Sequence, residues 1–176
     1  DFLYYTPDPS NAAAGRKAGL SMRTFRFGRR ERLVHKLRRH LSLNRLFERL
    51  GLFPPFDATF EKDGVDLLYF SGPSHLCLFL ERLNYVLTVW DLCHRDHPEF
   101  PEVRSNHEFE ARENFLRSAL PKATAVIADS SLGKSNLERR FGIDHQRVHV
   151  ISVSPARSAS KKDEDNNFDP RKAVGI

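Results

Sequence analysis

The chain is 176 residues long, with 28 Lys+Arg against 23 Asp+Glu and two cysteines. That length suits one domain with a sizeable core and is too short for two full α/β domains. An apolar share of 40% with 14 Phe excludes wholesale disorder, and no run of about 18 apolar residues offers a membrane span. No charged-then-apolar leader opens the sequence, and Cys77 with Cys93 makes no disulfide framework. Reduced thiols in a cytoplasmic protein are therefore expected.

The net charge of +5 is unevenly spread. Residues 16–49 carry twelve basic side chains against Glu31 and Glu48, a local net of +10, which leaves −5 for the rest. The chain is thus mildly acidic outside one strongly basic segment, and that segment is an electrostatic footprint for something anionic.

In chain order, Phe2–Tyr5 reads as a short strand, and the remainder of residues 1–25, rich in small and turn-forming types, reads as loop. Residues 29–50 read as a helix: Leu33, Val34, Leu37 and Leu41 recur at helical spacing, then Leu43, Leu46, Phe47 and Leu50 after a phase slip. Gly51 supplies a left-handed stop and Pro54-Pro55 an extended connection. Val65–Phe70 is a strand candidate and His75–Leu83 a short helix. Tyr85–Val89 is β-rich, and Leu92–Val103, with two prolines and several charges, reads as loop. Ser105–Leu120 is predicted helical with Phe109, Phe115, Leu116 and Leu120 toward a core. Ala123–Ala128 is a strand, Ser131–Phe141 a helix closed by Gly142, and Val148–Val153 a strand. Lys161–Asn167 is a solvated charge run.

Near-continuously apolar strands alternating with helices predict a parallel sheet covered on both faces, a doubly wound α/β domain. Ligands in such folds bind outside the carboxyl ends of the strands. That rule selects Ser71–Ser74, Trp90–Pro101 and Asp129–Ser131.

The loop from Trp90 is the richest in chemistry. It packs Trp90, Asp91, His94, Arg95, Asp96, His97 and Glu99 into about a dozen positions. Metal binding by His94, His97 and the acids is a weak reading, because no second His/Cys pair supports it. Sugar and phosphate handling is a second: Trp90 offers an apolar face to a sugar ring, Asp91 accepts hydroxyls, and His94 or His97 pairs with phosphate or shuttles a proton. The third is that the charges only order a long surface loop. Ser130 or Ser131 stands where a strand meets a helix, and either caps the helix or leaves its amides to an anion; capping is the commoner role. Gly72 permits close backbone approach beside Ser74, although Ser-Gly-Pro-Ser is also an ordinary turn. The dinucleotide glycine fingerprint and the phosphate-binding P-loop are both missing.

The basic segment has three readings. It is a membrane-surface helix with Arg29, Arg30, Arg32, Lys36, Arg38 and Arg39 toward anionic head groups. It is a nucleic-acid contact, against which the lack of aromatics among the arginines between 29 and 45 weighs. Or it is a solvated helix whose apolar stripe packs on the sheet.

In order, these segments resemble the N-terminal domain of family-4 glycosyltransferases, which have the two-domain GT-B fold. The resemblance runs from Val65 to Val153. It is carried by the Val65–Phe70 strand, Tyr85–Asp91 leading into His94–Phe100, and the helix around Glu110-Ala111-Arg112-Glu113. Ala123–Ser130, Phe141-Gly142-Ile143 and Arg147–Ser152 complete it. It implies a Rossmann-like doubly wound sheet forming the N-terminal half of a GT-B enzyme. Sugar would pass from a nucleotide-diphosphate sugar to a glycan or lipid-linked acceptor, with retention of configuration and no metal. Residues 1–25 would then be an irregular N-terminal segment, 26–153 the acceptor-side domain, and 154–176 a linker toward a C-terminal donor-binding domain outside this sequence, leaving the fragment inactive alone. The resemblance implies catalytic roles for Asp91 and His94, and substrate contacts from Trp90, Arg95, His97, Gly72, Ser74, Ser130 and Ser131. Where the family often has His before the Asp, this chain has Trp90, so no catalytic base is assigned. A lipid-linked acceptor would give the basic helix a purpose at the inner membrane surface. The rival class is a basic, non-enzymatic α/β module that binds nucleic acid or an anionic surface through residues 16–49.

Overall fold

In the computed structural model of the protein, residues 2–29, 33 and 56–152 are described. The predicted helix at 29–50 and the charge run at 161–167 therefore lie almost wholly outside the described residues.

The chain is α/β with two parallel sheets. Strands β1 (Tyr4–Thr6) and β2 (Met22–Thr24) pair in parallel, joined by helix α1 (Pro9–Lys17). Composition predicts loop over this stretch, and the structure has a helix instead. Its helix is nevertheless well specified: the Asp8 side chain caps it by accepting from the Ser10 amide at 2.8 Å. Pro9 sits in the first turn, where its missing N–H costs nothing, and Ala12, Ala13 and Ala14 follow. Small residues were read as turn formers where they are helix formers.

Nor does residue 25 mark a division of the core. Tyr5 packs edge-on against Phe60, and its hydroxyl donates to Asp63 Oδ2 at 2.7 Å. Phe25 meets both Phe56 and Phe60, and Phe27 meets Phe56 and Phe79. Edge-to-face pairs of this kind add about 0.5–1.5 kcal/mol each beyond the area they bury.

The second sheet has the order β3 (Leu67–Phe70), β4 (Asn84–Val89), β5 (Ala125–Ala128), β6 (Val148–Val150), all parallel. Short helix α2 (Ala58–Glu61) precedes it. A 3₁₀ turn (His75–Phe79) links β3 to β4. Helices α3 (Cys93–Asp96), α4 (Pro101–Arg104) and α5 (Glu108–Ala119) link β4 to β5, and α6 (Ser131–Phe141) links β5 to β6. Successive side chains point to opposite faces. Leu68, Tyr85, Leu87, Val126 and Val148 are buried in one cluster with Phe115, Leu116 and Ala119 of α5 and Leu137 of α6. On the other face Leu67 and Tyr69 stand 52% and 58% exposed, with Thr88 buried beside the Tyr69 hydroxyl. The described strands thus run in chain order without the reversal that double winding requires, and one sheet face is open at its β3 edge.

Two polar anchors set the sheet. Asp57 is fully buried, and its carboxylate accepts from the amides of Glu81, Arg82 and Leu83 at 2.7–3.2 Å, fixing the turn into β4. This is why the helix expected over His75–Leu83 ends at Phe79. The Tyr85 hydroxyl donates to Ala119 O at 2.6 Å, tying β4 to the end of α5.

Candidate functional site

The connection leaving β4, predicted as loop from its prolines and charges, holds two short helices. Asp91 Oδ1 accepts from the Cys93 amide at 2.8 Å, at the first residue of α3. Pro101 opens α4. Asn106 and His107 then take left-handed backbone conformations, at φ 55° and 58°, and turn the chain into α5. The predicted helix from Ser105 consequently begins at Glu108.

The side chains at 108, 111, 112, 115 and 116 share one face of α5. That face looks across a cavity of about 380 Å³ to Pro73 and His75 after β3 and to Val89, Trp90, Asp91 and His94 after β4. The site stands where the strand-end rule puts it. Its wall is mostly apolar, with a few polar groups at the rim, the usual make-up of a small-molecule pocket. Trp90 is 45% exposed and lines the cavity. A Cβ at Gly72 would lie 3.0 Å from the indole Nε1, so the Ser71–Ser74 turn and Trp90 meet in space.

Charge is arranged in two layers. At the rim, Arg112 Nε donates to Glu108 Oε1 at 2.7 Å. That bond, more than the charges of Glu108 and Asp91, holds the guanidinium above its ordinary value. Burial first, and Asp91 second, push the Cys93 thiol up, so it is a poor nucleophile. Behind the rim, His94 is 1% exposed and its Nε2 lies 2.9 Å from Glu113 Oε1. Arg95 grips the same carboxylate through Nε and through Nη2 at 2.6 Å, and Arg117 Nε adds a fourth bond at 3.1 Å. The Arg95 bonds, followed by the His94 bond, hold the Glu113 carboxyl down at about 2.

The sequence-predicted residues separate clearly. Trp90, Asp91 and His94 line the cavity, and Gly72 touches Trp90. Arg95 does not line it: its guanidinium is held by Glu113, lies 4.4 Å over the Phe141 ring and donates to Arg140 O. His97 is exposed, stacked on Phe100 and beside Glu99. Ser74 Oγ accepts from the Leu76 amide at 3.4 Å, a cap of the 3₁₀ turn. Ser130 Oγ accepts from the Gly133 amide at 3.1 Å and donates to Asp129 Oδ1 at 2.9 Å. The N-terminus of α6 is thus occupied by its own cap and a carboxylate, which disfavours an anion there. Ser131 is exposed and outside the cavity lining. Arg29 is exposed, and Arg30, Arg32, Lys36, Arg38 and Arg39 lie outside the described residues.

Pro73 lies in the selected Ser71–Ser74 turn, whereas His75, Glu108, Ala111, Arg112, Phe115 and Leu116 are cavity residues that the strand-end rule does not select. The i, i+3, i+4, i+7, i+8 spacing from Glu108 was the signal available for five α5 positions. Among the described residues, no group of three or more His, Cys, Asp and Glu is placed to hold a metal ion. No helix of the described residues is long and apolar enough to cross a membrane. No protein-family model matches the chain, and no curated protein matches it.

Proposed function

We propose that the protein is the acceptor-side part of a retaining glycosyltransferase with a GT-B architecture, acting in the cytoplasm. It would use a nucleotide-diphosphate sugar as co-substrate and no metal. The single observation that carries this reading is the cavity at the carboxyl ends of β3 and β4, with Trp90 and Asp91 at its mouth. Sugar rings are bound by an aromatic face with a carboxylate beside it, and this pair has that chemistry. At about 380 Å³ the cavity is at the small end for ligand sites, suited to one ring rather than a whole nucleotide sugar. Its rim holds Asp91, Glu108 and one guanidinium already engaged by Glu108. That balance favours a neutral, hydroxyl-rich acceptor over a diphosphate, which belongs on a donor-binding domain.

In this mechanism Trp90 stacks on the acceptor ring, and Asp91 accepts one of its hydroxyls. Together they hold the reacting oxygen toward the donor. Orientation of this kind supplies several kcal/mol of barrier lowering. The resemblance of the Val65–Val153 segments to family-4 enzymes supports the reading. The basic segment including Arg29–Arg39 would place the enzyme on an anionic leaflet. Sedimentation with liposomes that contain anionic lipid, and not with neutral ones, is the expected result.

The direct test is nucleotide-sugar turnover by the protein at its natural length. Trp90→Ala and Asp91→Asn are each expected to reduce acceptor-dependent turnover at least tenfold while the thermal midpoint stays put. Wild-type turnover in both variants would remove this loop from the mechanism.

A further inference from the structure

Behind the cavity wall lies a group that the sugar-stacking mechanism does not use. His94 lines the cavity, yet it is 1% exposed, and its ring is packed edge-on against Phe109 with centroids 5.6 Å apart. Glu113 is bonded on both oxygens: His94 and Arg95 Nε on Oε1, Arg95 Nη2 and Arg117 Nε on Oε2. Both arginines are obligate donors, so the carboxylate between them is acceptor-only. A neutral imidazole facing such an oxygen must carry its proton on the nitrogen that faces it. Among the described residues, Nε2 is the His94 ring nitrogen with a protein partner.

We propose that Glu113 is a positioning residue that locks His94 as the Nε2–H tautomer, so that Nδ1 offers the cavity a fixed lone pair for a ligand hydroxyl. The other charged groups around the ring fit this. Arg95 and Arg117 approach Glu113, not the ring. On the cavity side stand Asp91, Glu108, Arg112 and His75; Arg112 is bonded to Glu108, Asp91 accepts from the Cys93 amide, and His75 packs on Phe115. The site would then hold a hydroxyl-bearing ring at two points, Asp91 and His94 Nδ1, with Trp90 against its face. A carboxylate–His pair of this kind fixes both tautomer and ring orientation. The inference rests on reading the cavity as a ligand site, but its first test requires no ligand.

Long-range ¹H–¹⁵N correlation spectra of the ¹⁵N-histidine-labelled chain at neutral pH read the tautomer directly. The His94 signals are assigned by their loss in His94→Gln. The expected wild-type result is one tautomer, with protonated Nε2 and unprotonated Nδ1. Nδ1–H in the wild type overturns the proposal. Glu113→Gln places an amide that can donate as well as accept opposite Nε2, so a mixture of tautomers is expected; an unchanged single tautomer in a folded variant also overturns it. If that variant does not fold, the wild-type spectrum alone decides. The second arm adds methyl α-D-glucopyranoside as the simplest neutral pyranoside, followed at Nδ1 and by Trp90 emission. An Nδ1 signal that moves with Trp90 supports the acceptor role. A Trp90 response with Nδ1 unmoved overturns that role while leaving the cavity's ligand reading intact.

Discussion

The ends of β4 and β5 lie side by side in one sheet, and the sequence nominates both as ligand sites. They fold to opposite outcomes. After β5 the chain enters α6 at once: the Ser130 hydroxyl accepts from the Gly133 amide and donates to Asp129 Oδ1. After β4 the chain detours through α3 and α4 and a left-handed pair at Asn106 and His107 before α5 returns. That detour leaves room between Trp90 and the Glu108–Leu116 face, and the room is the cavity. At the end of β4 the helix that faces the strand end, α5, arrives only after this detour.

Substitutions that attack each end separately sharpen this contrast. The largest effect is expected from Asp57→Ala, which removes the acceptor for the amides leading into β4. A loss of about 3 kcal/mol in urea unfolding is expected, because buried donors are left without partners. The next is a pH effect behind the cavity. Glu113 titrates at about 2 in the fold against an ordinary value of 4.5. Its contribution to stability is therefore fully present above 4.5 and lost as the pH falls through about 2. Denaturant midpoints measured across that interval should fall in the wild type and fall less in Glu113→Gln. Ser130→Ala is smaller, about 1 kcal/mol by loss of a helix cap, and should leave ligand binding at the β4 end unchanged. Smallest in stability is Gly72→Ala. Its methyl would press on the Trp90 indole, shifting the emission maximum with little change in thermal midpoint.

How much of this was readable beforehand follows from what carried each feature. The strands of the second sheet announced themselves as apolar runs, and Gly142 ends α6 at φ 66° as its position implied. Trp90 and Asp91 were visible because they end a strand. Helix α1 was missed because Ala12–Ala14 lay among turn-forming neighbours, so Asp8 went unnoticed as a cap. Glu113 was one of three glutamates within six residues, and only the fold brings His94 and Arg95 to it from 19 and 18 positions away. Arg95 has the look of a substrate contact for the same reason: its partner Glu113 is distant in sequence. The role of Asp57, which closes a turn 24–26 residues later, had no local signal at all.

Trp90 is the only tryptophan in the chain, so indole emission, excited where tyrosine does not absorb, reports on the cavity lining. Titration with neutral methyl pyranosides should give a saturable change in Trp90 emission that Asp91→Asn abolishes and Ser130→Ala leaves intact. No change with any of these sugars, or an equal change in Asp91→Asn, would contradict a sugar site at the end of β4.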